Sequence, residues 1–158
     1  MKLKDITFEP LDDWDGWYIA QIPELDSSTA EKKALTLQDE ASQKAVYCVA
    51  GVVDEGYGLY LVPQRGIKYV IEAFEVGSHA GAEAESVYDE IREADNKNSL
   101  IPYFADEAGI KAKFTSPVTT EILSILNESL YSSDAMADDD GELDSYIRKH
   151  NGVHLWWD

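Results

Sequence analysis

Hydrophobic and polar residues follow two different periods along the chain, and the two periods predict different elements. Alternating positions and clusters of β-branched and aromatic residues predict strands at residues 3–9, 17–22, 59–63, 67–76, 100–105 and 109–115. Apolar residues spaced three and four positions apart predict helices at about 37–53, 84–91, 117–130 and 142–150. Paired strands with helices between them are typical of the α+β class.

Capping and breaking residues set the bounds of two of these helices. Thr36, with an acidic residue three positions later, resembles a capping box, and Gly56 stops the helix that would follow. Ser116 and Pro117 form a second helix opening, a hydroxyl cap followed by proline. We therefore expect one α+β domain over residues 1–158, with a largely antiparallel sheet of about 5–6 strands and about 3–4 helices.

The segment 132–142 interrupts this order, because it is polar and has no hydrophobic period. It carries five acidic residues: Asp134, Asp138, Asp139, Asp140 and Glu142. Such a run predicts a mobile acidic loop.

Charge narrows the classes of partner. The chain has 31 Asp and Glu residues against 13 Lys and Arg residues, a formal net charge of −18. This charge repels phosphates, so we expect no binding to nucleic acid or to an anionic membrane.

The first residues lack the apolar core of a signal peptide, and the single cysteine, Cys48, cannot form an internal disulfide. We expect a cytoplasmic protein with a basic partner, and no feature predicts an oligomeric state.

Two clusters place aspartate next to tryptophan and are the predicted partner-binding residues. The first consists of Asp12, Asp13, Trp14 and Asp15; the second consists of Asp134, Asp138, Asp139 and Asp140 together with Trp156 and Trp157. Tryptophan is a preferred anchor at interfaces, and carboxylates give specificity and fast association with a basic partner. The alternative is a solvated turn beside core tryptophans, above all for Trp17, whose strand should bury one face.

The sequence lacks residues that the known metal-binding and catalytic motifs require at particular positions. An EF-hand placed on Gly141 requires metal ligands at Met136 and Ile147. His150 and His154 lack the glutamate of a zinc-protease helix, and no Gly-x-Ser-x-Gly or phosphate-binding loop is present. We therefore expect no cofactor, no metal site and no enzymatic activity, although a catalytic pair of carboxylates stays open as an alternative.

One N-terminal stretch resembles a known family. Gly16, Tyr18 and the Pro-Glu-Leu of residues 23–25, followed by Thr36, Glu40 and Ala41, resemble the strand–strand–helix unit of HicB-type antitoxins. Asp26-Ser27-Ser28 replaces the Pro-Gly-Cys usual in that family, and nothing after residue 56 resembles its DNA-binding tail. The resemblance implies a protein that neutralises a toxin by binding it.

In size, acidity and lack of catalytic motifs, the chain also resembles the immunity proteins of contact-dependent and polymorphic toxin systems in bacteria. That resemblance implies a cognate basic toxin, with a nuclease as the favoured class, whose active site the acidic protein steers toward and occludes. A DNA mimic that inhibits restriction enzymes is the alternative. Its carboxylates would have to follow phosphate spacing, whereas here they are clustered.

Overall fold

The computed structural model describes residues 1–130 and 143–157. The chain divides into two compact units, Met1–Arg65 and Gly66–Asp158. Each unit combines antiparallel strands with helices, so the α+β class is confirmed.

The first unit consists of six strands and one long helix. In chain order these are β1 (Lys2–Leu3), β2 (Ile6–Thr7), β3 (Glu9–Pro10), β4 (Tyr18–Gln21), α1 (Ser27–Gln43), β5 (Val46–Val53) and β6 (Gly56–Pro63). β1 and β2 form a two-stranded hairpin. The other four strands lie in the order β3-β4-β6-β5, and every neighbouring pair is antiparallel.

Helix α1 starts ten residues earlier than the sequence pattern predicts. Its N-cap is Asp26, whose carboxylate accepts a 2.7 Å hydrogen bond from the backbone N–H of Thr29. This hydrogen bond holds the pKa of Asp26 below its ordinary value. Thr36, the predicted cap, lies inside the helix, where its hydroxyl donates to the carbonyl of Lys32. The predicted helix over 37–53 is therefore wrong at its start.

The second half of that predicted helix is strand β5. Residues 46–51 are all buried, so their apolar run reflects a strand covered on both faces and not a helical stripe. Lys44 ends α1, and Ala45 has φ +59°, a left-handed turn into the strand. Cys48 lies in this core, and burial raises the pKa of its thiol to about 12.

The second unit consists of five helices and three strands among the described residues. They are α2 (Ile67–Ala73), a 3₁₀ turn (Ser78–Ala80), α3 (Ala84–Asp89), α4 (Arg92–Lys97), β7 (Leu100–Ala105), β8 (Gly109–Phe114), α5 (Thr120–Leu130), α6 (Leu143–His150) and β9 (Gly152–Trp156). The strands lie in the order β7-β8-β9, and both pairs are antiparallel.

Helix α2 replaces the strand predicted at 67–76. Its buried residues are Ile67, Val70 and Ile71, which have the spacing of a helix face and not of a strand face. The β-branched content of this segment suggested a strand, but burial on one helical face determines its structure. The hairpin expected between residues 59–63 and 67–76 does not form.

Other predictions agree with the structure more closely. The strands at 17–22, 59–63, 100–105 and 109–115 and the helix at 142–150 are confirmed within a few residues. The helix predicted at 84–91 is confirmed as the slightly shorter α3, and a further short helix, α4, follows it. Helix α5 begins at Thr120, where the hydroxyl of Thr119 accepts from the N–H of Ile122, so Ser116 is not its cap.

The described residues contain nine strands and six α-helices, more than the predicted 5–6 and 3–4. The extra strands are β5, β9 and the three short strands into which the strand predicted at 3–9 divides, and the extra helices are α2 and α4. The acidic loop predicted at 132–142 lies outside the described residues. No helix in the described part of the chain is long and apolar enough to span a bilayer.

Candidate functional site

The first aspartate–tryptophan cluster lies in the turn between β3 and β4, at residues 11–17, here called the Trp14 loop. Three backbone hydrogen bonds close it: Leu11 N–H to the carbonyl of Trp17 (3.0 Å), Trp14 N–H to that of Leu11 (3.2 Å) and Trp17 N–H to that of Trp14 (3.1 Å). The loop is therefore a closed turn that backbone hydrogen bonds between its own residues hold together.

Gly16 is required for this turn. Its φ is +78°, a left-handed conformation that residues with a Cβ adopt at a cost. A Cβ at this position would also lie 3.2 Å from Cγ of Pro63, at the end of β6. Glycine thus lets the loop close against the neighbouring strand, and it fixes the position of the residue before it and the residue after it.

Two tryptophans in the loop have opposite environments. Trp17 is buried, with 4% of its surface exposed, whereas Trp14 is 45% exposed. Their rings lie 5.0 Å apart at an interplanar angle of 53°, and Trp17 meets the ring of Tyr60 edge-on at 6.3 Å. The buried indole therefore supports the exposed one, and Trp14 is the single exposed aromatic side chain in the part of the chain that the structure describes.

The three aspartates of the loop surround this exposed indole in sequence. Asp12, Asp13 and Asp15 are all exposed, and their carboxylates make no hydrogen bond or ion pair with any described residue. A depression of about 490 Å³ is lined by residues 10–18 and so by the loop itself. A half-exposed aromatic surface beside three uncompensated negative charges is suited to a cationic side chain, which can stack on the ring and pair with a carboxylate.

The second cluster is arranged differently. Trp156 and Trp157 lie at the end of β9, and both are only partly exposed. The indole N–H of Trp156 is buried and has no hydrogen-bond partner among the described residues. A Cβ at Gly77 would lie 3.6 Å from Cδ2 of Trp157, so that ring packs close to the backbone of the second unit.

The remaining predicted members of the second cluster, Asp134, Asp138, Asp139 and Asp140, lie outside the described residues. Of the ten predicted binding residues, the structure therefore brings together Asp12, Asp13, Trp14 and Asp15 in one loop. It places Trp156 at the end of β9 and Trp157 directly after that strand, and both side chains are partly buried.

The sequence does not predict which residue packs against the buried tryptophan of the loop. Tyr60 contributes to the aromatic stack from β6, far from the loop in sequence. It arrives there because β4 pairs with β6, with Ile19 opposite Tyr60. A strand prediction does not specify its partner strand, so no local signal identifies this contact.

Metal ligands do not converge in the described ranges: no group of three His, Cys, Asp or Glu side chains there could hold an ion. Comparison with protein-family models, with curated proteins and with solved structures finds no match.

Proposed function

We propose that this chain is a non-enzymatic acidic binding protein that neutralises a cognate basic bacterial toxin, with a nuclease as the favoured class, in the cytoplasm. The observation that carries the proposal is Trp14: an indole that is 45% exposed, held on a closed turn and flanked by three exposed aspartates. In this proposal Trp14 is the packing anchor, and Asp12, Asp13 and Asp15 receive lysine and arginine side chains of the toxin.

The exposed indole supports a binding role on energetic grounds. Transfer of so large an aromatic side chain from water into an interface is favourable, and interfaces concentrate their binding energy in such residues. Because Trp14 already rests on Trp17 and its loop is internally hydrogen-bonded, binding would order few additional bonds. Such preorganisation lowers the entropic cost of association.

The net charge of −18 supports electrostatic steering. A negative field raises the encounter rate with a cationic protein and discriminates against acidic ones. A nuclease must present a positive groove to hold phosphates, so carboxylates on an inhibitor can occupy that groove and exclude the substrate. Neutralisation then requires no chemistry by this chain.

The direct test is coexpression with the protein encoded by the neighbouring gene, followed by an assay of that protein's toxicity and nuclease activity. We expect a stable complex and loss of activity. Inhibition of a restriction enzyme, with no effect on the neighbouring gene product, would contradict the toxin proposal and favour DNA mimicry.

The Trp14 loop is tested with matched variants in that complex. Trp14→Ala is expected to weaken the complex by at least about 2 kcal/mol, roughly 30-fold in Kd. The triple change Asp12→Asn, Asp13→Asn and Asp15→Asn is expected to slow association at low salt. The control removes three exposed charges elsewhere in the same unit: Glu24→Gln, Asp39→Asn and Glu55→Gln.

The two triple variants separate a specific site from a general field, because both change the net charge by the same amount. If the control slows association as much as the loop triple does, the field is general and the loop is not the site. An association rate that is the same at low and at physiological ionic strength would contradict steering altogether, since exposed charges are screened beyond about 8 Å in 0.15 M salt.

A further inference from the structure

A cleft in the first unit has the opposite character to the rest of the protein. It has a volume of about 340 Å³ and lies between the turn of the β1–β2 hairpin and helix α1. Its lining residues are Lys4, Asp5 and Ile6 from the hairpin, and Thr29, Lys32, Lys33, Thr36 and Leu37 from the helix. It is called the lysine cleft below.

The helix residues of the lysine cleft form a single stripe. Positions 29, 32, 33, 36 and 37 have the i, i+3, i+4, i+7, i+8 spacing of one helix face. An amphipathic helix that packs on a sheet has an apolar face, which is buried, and a charged face, which is exposed to solvent. Here two lysines and two threonines surround one buried leucine, Leu37, beneath the hairpin turn.

The charge of the lysine cleft is positive in a strongly negative chain. Residues 1–65 contain six basic side chains, and three of them line this one cleft, against a single carboxylate from Asp5. Within the described ranges, none of these three lysines forms an ion pair with an acidic side chain. Positive charge is therefore concentrated there, and it is offset in part by Asp5 and by Asp26, whose pKa the charge of Lys32 helps to lower.

Lys4 links the hairpin turn to α1 through hydrogen bonds, whereas the side chains of Lys32 and Lys33 make none in the described part of the chain. The backbone N–H of Lys4 donates to the carboxylate of Glu40 at 3.2 and 3.4 Å, and its ammonium lies 3.5 Å from the carbonyl of Thr36. These contacts attach the hairpin turn to α1. Lys32 and Lys33 make no side-chain hydrogen bond to any described residue, so attachment of the hairpin does not account for them.

The wall of the lysine cleft is mostly apolar despite these charges. Leu37 and the half-buried Ile6 contribute, and lysine side chains present methylene groups along such a surface while their ammonium groups stay at the rim. An apolar floor beneath cationic groups matches a molecule with a hydrophobic body and one negative group. A polyanion would be repelled by the net charge of the whole chain.

We propose that the lysine cleft binds a small organic anion with a compact apolar body, and that Lys32 and Lys33 pair with its acidic group. This site is separate from the Trp14 loop, and the proposal does not depend on the proposed function. The anionic group is a carboxylate, sulfonate or phosphate, each of which accepts charge-assisted hydrogen bonds from ammonium groups.

The test uses two probes that share an aromatic body. 1-Anilinonaphthalene-8-sulfonate carries one negative charge, and N-phenyl-1-naphthylamine is the same molecule without the sulfonate. We expect saturable binding of the anionic probe with one equivalent per chain, measured by fluorescence titration, and much weaker binding of the neutral probe. Equal affinity for the two probes, or no saturable binding of the anionic one below about 1 mM, overturns the proposal.

Variants locate the binding. The double change Lys32→Gln and Lys33→Gln is expected to weaken binding of the anionic probe by more than about tenfold, because two charge-assisted contacts are lost. The control, Lys2→Gln and Lys44→Gln, removes the same charge from exposed lysines outside the cleft. Equal weakening by both double variants would show a general charge effect and would overturn the assignment to the cleft.

A third variant tests the volume and not the charge. Thr36→Phe fills the cleft from an exposed position and removes only a hydroxyl bond to the carbonyl of Lys32 within the helix. We expect it to abolish binding of the anionic probe while circular dichroism stays as in the parent. This probe also binds partly unfolded proteins, so increased fluorescence in a variant with altered circular dichroism counts against the site.

Discussion

The two aspartate–tryptophan clusters look alike in the sequence and differ in the structure. In the Trp14 loop, one tryptophan is buried as a support and the other is presented to solvent beside three exposed aspartates. At the end of β9, both tryptophans are partly covered, and the indole N–H of Trp156 is buried. The difference teaches that the neighbourhood of a tryptophan, and not its adjacency to acidic residues, decides whether it is available to a partner.

The aspartates that lie near the two pairs of tryptophans also differ in the contacts that their carboxylates make. Asp12, Asp13 and Asp15 hold no described group, whereas Asp106, close to β9 through the β8 pairing, is a structural residue. Its carboxylate accepts from the N–H groups of Ala108 and Gly109 at 2.8 and 2.9 Å, which fixes the turn between β7 and β8. The comparison is thus between carboxylates that have structural partners and carboxylates that do not.

The largest expected effect separates the two tryptophans of the Trp14 loop. Trp17→Ala should lower the free energy of unfolding by about 3–5 kcal/mol, because it opens a cavity beneath the loop and removes the ring that packs against Tyr60. Trp14→Ala is the control and should cost less than about 1 kcal/mol, since the ring is 45% exposed. Urea unfolding followed by far-UV circular dichroism measures both, and equal costs would contradict the assignment of support and anchor.

The second prediction concerns the strand that holds the C-terminal pair. A Cβ at Gly152 would lie 2.1 Å from the carbonyl oxygen of Ala112 and 3.0 Å from Cα of Lys113, so Gly152→Ala must displace β9 from β8. We expect a loss of about 1–3 kcal/mol and a red shift of tryptophan emission as Trp156 and Trp157 become wetter. If stability and emission match the parent, the packing of this pair does not depend on β9.

The third prediction tests the structural aspartate. Asp106→Ala leaves two backbone N–H groups without their acceptor and should cost about 1–2 kcal/mol in thermal or urea unfolding. Asp106→Asn keeps a carbonyl oxygen in the same place and should recover most of that loss. If Asn is as damaging as Ala, the negative charge, and not the hydrogen bonds, supports the turn.

Local pairing was predictable from the sequence where the turn residues were decisive. The strands at 100–105 and 109–115 were predicted together with the Asp106–Gly109 connection, and the structure places them as β7 and β8. The helix prediction for residues 46–53 is wrong because this run is continuously apolar. Without a polar period, the sequence does not distinguish a strand buried on both faces from a helix. The run at 67–76 failed because its β-branched residues favour strands while their spacing favours a helix.

The local part of the candidate site could be predicted from the sequence, whereas its contacts between distant residues could not. Exposure of Trp14 and burial of Trp17 follow from the turn at Gly16 and the strand after it, both local features. The contact with Tyr60 depends on the pairing of β4 with β6, and the lysine cleft depends on the hairpin turn meeting α1. Both bring together residues that are distant in sequence, and hydrophobic periodicity does not specify such contacts.

The smallest expected effect tests whether the unpaired aspartates of the Trp14 loop are a cost to the fold. Asp12→Asn, Asp13→Asn and Asp15→Asn together should raise the free energy of unfolding by a few tenths of a kcal/mol at low salt, because three like charges within four residues repel one another. The scattered control, Glu24→Gln, Asp39→Asn and Glu55→Gln, should stabilise less, since those charges are far apart in sequence. The difference should vanish near 1 M salt, where the screening length is about 3 Å.

A loop triple that is less stable than the parent would mean that these carboxylates have structural partners after all, and the contrast with Asp106 would then be wrong. A gain in stability, together with the slower association expected for the same variant, would mean that the loop keeps an unfavourable charge arrangement whose benefit is realised only in a complex.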